Sequence, residues 1–389
     1  MKKRIIRIAA DITIAAVIVL AVWIADYKFP RDGIRAAAFP RTENETETEQ
    51  GLIPPPSASI QSDYVIEDMR SPVENTAYTD MATDTSWSQV YEVTEPEQEF
   101  STWSDSLQRT CVIMDTQDWH EKFADKFTDT VVVTDTSYSS PNLSVQLSYN
   151  HYDTGILDLT GTGKHKEYGT QVSYVLADIY VGDITCLQTA FAQDTYGVGY
   201  TERLSDMSSA MNSVLAVNGD SYSNNRHRDN GTIIRNGVIY RDRPTDMETC
   251  VLNWDGTMDI YSPDQIDLQQ LIEKGAYQSW IFGPSLLDEN GRAKESFRTW
   301  SYIEESHPRT AIGYFEPGHY CLLLVDGRQK SSRGMFLDEM AKVFEDLGCQ
   351  TAYNLDGGHC SFMTFLDRTA NHPYKPKYEV TDGIFIREQ

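Results

Sequence analysis

Residues 320–325 read Tyr-Cys-Leu-Leu-Leu-Val and lead into Asp-Gly-Arg at 326–328. A second apolar run, Gln-Thr-Ala-Tyr-Asn-Leu at 350–355, leads in the same way into Asp-Gly-Gly at 356–358. Short apolar runs bounded by glycine-containing turns are typical of buried strands. Both runs are therefore predicted as strands, and each is followed directly by an aspartate.

The segment between these runs, residues 335–347, predicts a helix. Its apolar side chains recur at steps of four, three and four residues, which places them on one helical face: Phe336, Met340, Val343 and Leu347. Gly348 follows as a helix stop. Strand, helix and strand in this order predict a βαβ unit with parallel strands and a right-handed crossover. Asp326 and Asp356 would then stand at the edge where open α/β sheets bind ligands.

A third apolar run, Ser-Val-Leu-Ala-Val at 213–217, ends in Asn-Gly-Asp at 218–220. Asn-Gly and Asp-Gly are ordinary turn dipeptides, so a purely structural role for each turn stays open. If the three turns meet, Asp220, Asp326 and Asp356 form a carboxylate site. Such a site could serve catalysis or hold a divalent cation, because hard cations prefer carboxylate oxygens.

The rest of the chain after residue 170 is rich in short β-type runs and poor in helices. Asn-Gly at 236–237 separates two of these runs and predicts a tight hairpin. The predicted class is α+β, with a strand-rich mixed β-sheet core and few helices. Further predicted strands lie at 171–181, 232–235, 237–240 and 310–314, and further predicted helices at 201–212 and 264–274.

The N-terminal segment, residues 1–35, is interpreted as a cytoplasmic start and a membrane anchor. Met-Lys-Lys-Arg opens the chain, and residues 5–25 are apolar except for Arg7 and Asp11. That length suits one transmembrane helix, and the basic start would keep the N-terminus in the cytoplasm. A cleaved signal peptide and a buried helix remain alternatives. An anchor predicts a single-pass protein of the cell membrane with its C-terminal domain extracytoplasmic.

Residues 36–110 are predicted to be a disordered acidic spacer rich in Pro, Ser and Thr. Positions 41–110 carry 15 Asp or Glu against three Arg and no Lys, and such composition does not support a packed core. Residues 111–169 form a lead-in segment with strands predicted at 131–134 and 143–149, and the main domain spans 170–389. A net charge of −25 argues against a nucleic-acid partner.

The six cysteines are few for 389 residues and form no Cys-x-x-Cys pair. Most are therefore interpreted as small buried apolar residues. In an exported chain they could pair, and Cys349 with Cys360 is a candidate bridge across one short strand.

Six motifs in this order together resemble the phosphodiester glycosidase family, whose bacterial members include envelope proteins of exopolysaccharide biosynthesis. The resemblance covers roughly residues 170–387. The motifs are Ala-Val-Asn-Gly-Asp (216–220), Phe-Gly-Pro-Ser-Leu-Leu-Asp-Glu-Asn-Gly (282–291), His-Pro-Arg-Thr-Ala-Ile-Gly (307–313), Leu-Leu-Val-Asp-Gly-Arg (323–328), Ser-Arg-Gly-Met-Phe-Leu-Asp-Glu-Met-Ala (332–341) and Asn-Leu-Asp-Gly-Gly-His-Cys-Ser (354–361).

The resemblance implies an enzyme that hydrolyses sugar-1-phosphodiesters, with a glycosyl-phosphate polymer or oligosaccharide as substrate. Its catalytic candidates are Asp326, Asp356 and Asp220. Family members usually continue with Gly-Ser-Ser or similar after Asp-Gly-Gly, whereas His359, Cys360 and Ser361 follow here, so Ser361 is the candidate hydroxyl. The implied substrate-binding residues are Asn218, Gly219, Arg309, Thr310, Arg328, Gly334, Gly357, Gly358, His359 and Ser361.

The two arginines suit this chemistry because a guanidinium grips phosphate with a planar fork of donors. Two other functions remain open. The same residues could hold a glycopolymer without cleaving it, or a metal-dependent phosphodiesterase could break the P–O bond instead of the C–O bond.

Overall fold

The computed structural model describes the following residues: 13–14, 17–19, 31–36, 112, 114, 116–160, 165–223 and 230–388. Most of the predicted anchor and nearly all of the predicted spacer lie outside this set. Within the described residues, no helix has the length and apolar character needed to span a bilayer. Residues 31–35, at the end of the predicted anchor segment, form a short strand.

A seven-stranded antiparallel sheet forms the centre of the domain, with its long hairpin of two 11-residue strands in the middle. In spatial order its strands are β16 (Thr351–Asn354), β14 (Arg309–Glu316), β15 (His319–Val325), β5 (Gln171–Val181), β4 (Leu143–Asp153), β3 (Ser137–Ser139) and β2 (Val132–Val133).

A five-stranded antiparallel sheet packs against one face of this sheet. Val175 and Leu322 of the larger sheet share one buried apolar cluster with Val217 and Ile384 of the smaller one. The smaller sheet runs in the order β18 (Arg368–Thr369), β17 (Met363–Phe365), β8 (Leu215–Asn218), β19 (Asp382–Ile386) and β6 (Leu187–Phe191).

Three smaller antiparallel pairings complete the described strands. They are the sheet β12 (Met258–Tyr261), β11 (Thr249–Asn253), β13 (Ala276–Trp280), the hairpin β9 (Ile233–Arg235), β10 (Val238–Arg241), and the pair β1 (Arg31–Arg35), β7 (Thr195–Val198).

Three α-helices of at least seven residues lie in the described part of the chain, so the expectation of a strand-rich fold with few helices is confirmed. They are α1 (Leu204–Met211), α2 (Leu268–Lys274) and α3 (Leu337–Leu347). Short 3-10 turns lie at His165–Tyr168, Ile184–Cys186, Ala192–Asp194, Ser301–Ile303 and Gly358–Cys360.

The predicted βαβ unit takes a split form. Both β15 and β16 pair antiparallel with β14, so the two strands run parallel to each other but are not neighbours. Helix α3 packs on the face of the sheet opposite the smaller sheet, where Met340 and Phe344 are fully buried. Gly348 ends α3 in the left-handed conformation, as the sequence predicts.

This arrangement explains why Asp326 and Asp356 lie at the same edge of the sheet. Arg309 at the start of β14 pairs with Val325 at the end of β15, and Ala311 pairs with Asn354 at the end of β16. The start of one strand and the ends of two others therefore lie at the same sheet edge.

Five of the six cysteines are described, and all five are free thiols. The Cys349 sulfur lies 3.8 Å from the sulfur of Cys321 and not beside Cys360. The candidate Cys349–Cys360 bridge is therefore absent from the described residues.

Candidate active site

Asn218 joins the two large sheets at this edge. Its amide nitrogen donates to the carbonyl of Asp356 at 2.6 Å, and its amide oxygen accepts from the Thr310 hydroxyl at 2.7 Å and the Phe362 N–H at 3.2 Å. The Asp356 N–H donates to the Gly219 carbonyl. The predicted Asn-Gly, Arg-Thr and Asp-Gly-Gly motifs are thus brought together. The side chains of Asn218 and Thr310 form hydrogen bonds that link these motifs to one another.

Two predicted glycines allow backbone segments to approach closely here. A Cβ on Gly334, whose φ is +103°, would lie 2.3 Å from the His307 carbonyl oxygen. A Cβ on Gly357 would lie 2.7 Å from the Pro308 carbonyl oxygen. Since both obstacles are backbone atoms, a side chain at either position would displace the segment before β14.

Asp220 lies in the interior behind this edge. One carboxylate oxygen accepts from the Ile281 N–H at 2.7 Å and lies 3.8 Å from the Arg235 guanidinium. Arg235 also pairs with Asp382 at 2.6 Å, and Asp382 accepts from the Asp220 N–H. Burial raises the pKa of both carboxyl groups, because two acids share one guanidinium away from water. This network is positioned to stabilise the turn at Gly219.

Asp326 is buried beneath a loop. One of its carboxylate oxygens accepts from the Asn371 amide at 3.0 Å and from the His372 N–H at 2.9 Å. Its backbone carbonyl accepts from the Ser332 hydroxyl at 2.6 Å. The residue is 5% exposed, so these hydrogen bonds are made inside the protein.

Arg309 is one of the two arginines predicted to grip phosphate, and it is 2% exposed. Its guanidinium donates to three backbone carbonyls, those of Ile303, Glu305 and Met335. Burial lowers its pKa to about 9. These contacts fix the loop before β14 and occupy the Nε and Nη2 donors of a guanidinium that is buried in the interior.

Arg328 is half-buried and faces a different environment. Its guanidinium lies 3.3 Å from His307 Nδ1 and 5.8 Å from the centre of the Tyr374 ring. A Cβ on Gly358 would lie 3.2 Å from the same guanidinium. Among the described contacts of Arg328 no carboxylate forms an ion pair with it, so its charge is available to an anionic ligand.

Asp356 supplies a carboxyl group close enough to Arg328 to interact with its charge. Burial raises the pKa of Asp356 to about 6, although Cys360, the Gly357 N–H and Arg328 favour the charged form. The Gly357 N–H donates to it at 2.8 Å. A carboxyl group with this pKa can exchange a proton near neutral pH.

His359 and Ser361 complete the group. Burial, with Arg328 and Lys375 nearby, lowers the pKa of His359 to about 4, so its imidazole is uncharged at neutral pH. The Ser361 hydroxyl is buried and makes no hydrogen bond within the described residues. Arg328, Asp356, His359 and Ser361 thus form the candidate site, with the other predicted residues supporting it from inside.

A shared cation site for the three aspartates does not fit this geometry, because Asp220 is engaged by Arg235 and Asp326 by residues 371–372. Over the described ranges, no group of three or more His, Cys, Asp or Glu side chains is arranged to hold a metal ion.

Residues 211–387 match the family model described as phosphodiester glycosidase. This segment belongs to that family. The match starts within α1 and ends after β19, so it contains every residue of the candidate site.

One relative of known sequence is the SPbeta prophage-derived uncharacterized protein YomE of Bacillus subtilis (strain 168). It is 34% identical over 197 residues, which are 49% of this chain and 29% of that protein. The chain therefore spans less than a third of the length of this relative.

Two solved structures resemble the fold. The zebrafish N-acetylglucosamine-1-phosphodiester alpha-N-acetylglucosaminidase catalytic domain, auto-inhibited by its pro-peptide, is 21% identical with a TM-score of 0.49, covering 64% of this chain and 90% of that one. A hypothetical protein from Synechocystis is 12% identical with a TM-score of 0.44, covering 63% and 62%.

The glycosidase domain also contains site residues that sequence reasoning missed. Asp382 and Arg235 form the buried network, and Asn371, Tyr374 and Tyr378 contact or flank the candidate site. Two signals could have found them. Asp382 opens one more Asp-Gly pair, and residues 372–378 read His-Pro-Tyr-Lys-Pro-Lys-Tyr, which mixes aromatic and basic side chains.

Proposed function

We propose that this chain hydrolyses the bond between the anomeric carbon and oxygen of sugar-1-phosphodiesters. The observation that carries the proposal is the placement of a half-buried carboxyl group of raised pKa, Asp356, near the Arg328 guanidinium, which forms no ion pair with a carboxylate among the described residues, within a phosphodiester glycosidase domain.

Asp356 acts as the base. Breaking the anomeric bond gives a transition state with oxocarbenium character, which a nearby carboxylate stabilises. With a pKa near 6, Asp356 is mostly ionised at neutral pH and can take a proton from an attacking water. The leaving phosphomonoester is a weak base, so the reaction needs little help from an acid. One accessible carboxyl group is therefore sufficient.

Arg328 holds the phosphate. A charge-assisted hydrogen bond from a guanidinium stabilises the charge that accumulates on the leaving phosphate. Asp326 and the Asp220–Arg235–Asp382 network do not contact the substrate in this proposal. They stabilise the backbone that positions Asp356 and Arg328.

The substrate and location that we propose are a glycosyl-phosphate polymer of the cell envelope and the outer side of the cell membrane. The support is the apolar segment at 5–25 behind a basic start, together with the domain family. The chain carries a net charge of −25, so Arg328 and Lys375, which both lie near the Tyr374 ring, supply the positive charge that an anionic polymer needs at the site.

The test is turnover of a panel of glycosyl-1-phosphate esters by the detergent-solubilised full chain in ¹⁸O-labelled water. Cleavage of the C–O bond leaves the phosphate product unlabelled, and this is the expected result. Label in the phosphate would show P–O cleavage and overturn the mechanism. Binding without turnover of any member would show a glycopolymer-binding protein instead.

A further inference from the structure

Residues 370–378, here called the 370–378 loop, form most of the connection between β18 and β19 and lie over the candidate site. The loop is fastened at its start. Asp326 accepts the two hydrogen bonds from Asn371 and His372, and the Gln329 side chain donates to the His372 carbonyl at 2.7 Å. Asn371 also accepts from the Met363 N–H at 3.0 Å. The Asp-Gly-Arg turn therefore determines where the loop lies.

The distal part of the loop presents two aromatic rings to His359. Tyr374 lies 5.4 Å from the imidazole between ring centres, and Tyr378 lies 5.2 Å away at an interplanar angle of 25°. Tyr378 is 41% exposed. These three rings, here called the aromatic platform, are within the range of stacked and offset aromatic contacts.

The aromatic platform lies beside two cations, Arg328 and Lys375. The Arg328 guanidinium is 5.8 Å from the Tyr374 ring centre, and Lys375 Nζ is 6.0 Å from the same point. Burial, with Cys360 and Asp356 nearby, raises the pKa of Tyr378 to about 12, so its ring remains a neutral phenol. The imidazole is neutral as well. A neutral aromatic surface next to two cations matches a ligand with an apolar face and a phosphate.

We propose that Tyr374, His359 and Tyr378 bind the sugar ring of a glycosyl phosphate, and that Asp326 is a positioning residue that holds this platform through the 370–378 loop. The proposal rests on the proposed function for the identity of the ligand. The apolar C–H face of a pyranose lies on the rings while its phosphate reaches Arg328. Sites of this kind combine aromatic walls with a few polar groups that orient the ligand.

The first experiment measures binding alone, so it does not depend on turnover. The probes are glucose 1-phosphate and N-acetylglucosamine 1-phosphate, titrated into the full chain and followed by saturation-transfer NMR and calorimetry. We expect Tyr378→Ala and Tyr374→Ala each to weaken binding about tenfold, which corresponds to ~1.4 kcal/mol. The matched control is Tyr149→Ala, since Tyr149 is 55% exposed on β4.

Equal affinities for the wild type and both platform variants would overturn the proposal, as would the absence of binding by the wild type. Tyrosine-dependent binding without turnover of any ester would leave the platform standing and remove the proposed function. Turnover with an unchanged KM in Tyr378→Ala would support the proposed function and overturn the platform.

The second experiment follows the position of the loop. Trypsin cleaves after Lys377, and mass spectrometry detects the nick. We expect Asp326→Ala to raise the cleavage rate at Lys377 at least fivefold, because both hydrogen bonds to the loop are lost. Exposed Asp129 provides the matched control, Asp129→Ala. A melting curve for each variant separates loop release from global unfolding.

Asp326→Asn is the conservative variant, since its amide oxygen can still accept from the loop. We expect it to retain the wild-type cleavage rate at Lys377 and to change KM more than kcat. Unchanged trypsin cleavage in a folded Asp326→Ala variant would overturn the positioning role. A loss of kcat in Asp326→Asn as large as that in Asp356→Asn would also overturn it.

Discussion

Two groups of carboxylates and arginines stand near each other in this domain and differ in their surroundings. Arg235 lies between Asp220 and Asp382, and the three side chains are at most 2% exposed. Arg328 and Asp356 are half-buried beside aromatic rings, and protein groups occupy few of their hydrogen-bonding positions. The same residue types therefore stabilise the fold in one place and remain available to a ligand in the other.

The pKa values do not separate the two groups. Burial raises the pKa of Asp220 to about 7 and that of Asp356 to about 6, and it raises the pKa of Asp382 as well. In both places the nearby guanidinium and backbone donors compensate only in part for the lost hydration. The groups differ in access, because Asp220 is 2% exposed whereas Asp356 is half-buried.

Asp356→Asn tests the half-buried group formed by Arg328 and Asp356, and we expect it to have the largest effect on activity. Removing the base should lower kcat by roughly 10²–10⁴-fold. Because the folded protein raises the pKa from 3.8 to about 6, Asp356 favours folding below pH 4 and loses that contribution as the pH rises through 6.

Since Asn is neutral at every pH, the variant should match or exceed the wild type by roughly 1–2 kcal/mol at pH 8, after allowance for residual exposure. Turnover and urea unfolding at pH 4 and pH 8 measure both effects. Retained turnover would remove Asp356 from the mechanism, and a loss of stability confined to pH 8 would contradict the direction of its pKa shift.

Arg235→Met tests the interior network. Removing the cation leaves two buried carboxyl groups without compensation, so the free energy of unfolding should fall by about 3–5 kcal/mol. Arg328→Met is the comparison variant and should lose less than ~1 kcal/mol, because Asp356 and Glu305 interact with its charge but no described carboxylate forms an ion pair with it. Similar losses in both variants, measured by urea unfolding, would show that the two arginines have the same role.

Arg328→Lys tests the grip on phosphate. Lysine keeps the charge and loses the forked donor geometry, so kcat/KM should fall about 10- to 100-fold, in line with ~1.5–3 kcal/mol for a charged hydrogen bond. Kinetics on the best ester from the panel measure this, with Lys342→Arg on the exposed surface of α3 as the control. Full activity in Arg328→Lys would mean that the phosphate is held elsewhere.

His359→Gly should have the smallest effect, a three- to tenfold rise in KM, because it removes one ring of the platform and leaves the base and the cation. Its low pKa of about 4 predicts that the variant keeps the wild-type pH profile between pH 5 and 8. A loss of kcat larger than that of Asp356→Asn would make His359 the main proton-transfer group.

Local sequence patterns predicted the elements around the site well. The strand predicted at 171–181, the helix predicted at 335–347 and the Asn-Gly hairpin at 236–237 correspond to β5, α3 and the β9–β10 turn. The predicted helical face is wrong in part, because α3 buries Leu337, Met340, Ala341 and Phe344 while Leu347 is 37% exposed. These features depend on interactions within a few residues, which is why periodicity and turn chemistry are informative.

The roles of individual charged residues were harder to predict from the sequence. Arg309 and Arg328 follow equally good motifs, yet Arg309 donates to three carbonyls while Arg328 faces the candidate site. Asp220 and Asp326 look like catalytic acids in sequence, yet one is engaged by Arg235 and the other by Asn371 and His372. Their partners lie between 15 and 46 residues away in the chain.

The sequence by itself determined the strand-rich class, the motifs of the glycosidase domain and the three polar turns that end apolar strands. Only the tertiary structure showed that β14 separates β15 from β16, that Asp382 completes a buried network, and that the 370–378 loop covers the site. The physical reason is the distance along the chain over which each interaction acts. Backbone propensity and hydrophobic period act between neighbours along the chain, whereas the desolvation and pairing that assign a charged group its role depend on residues brought together by folding.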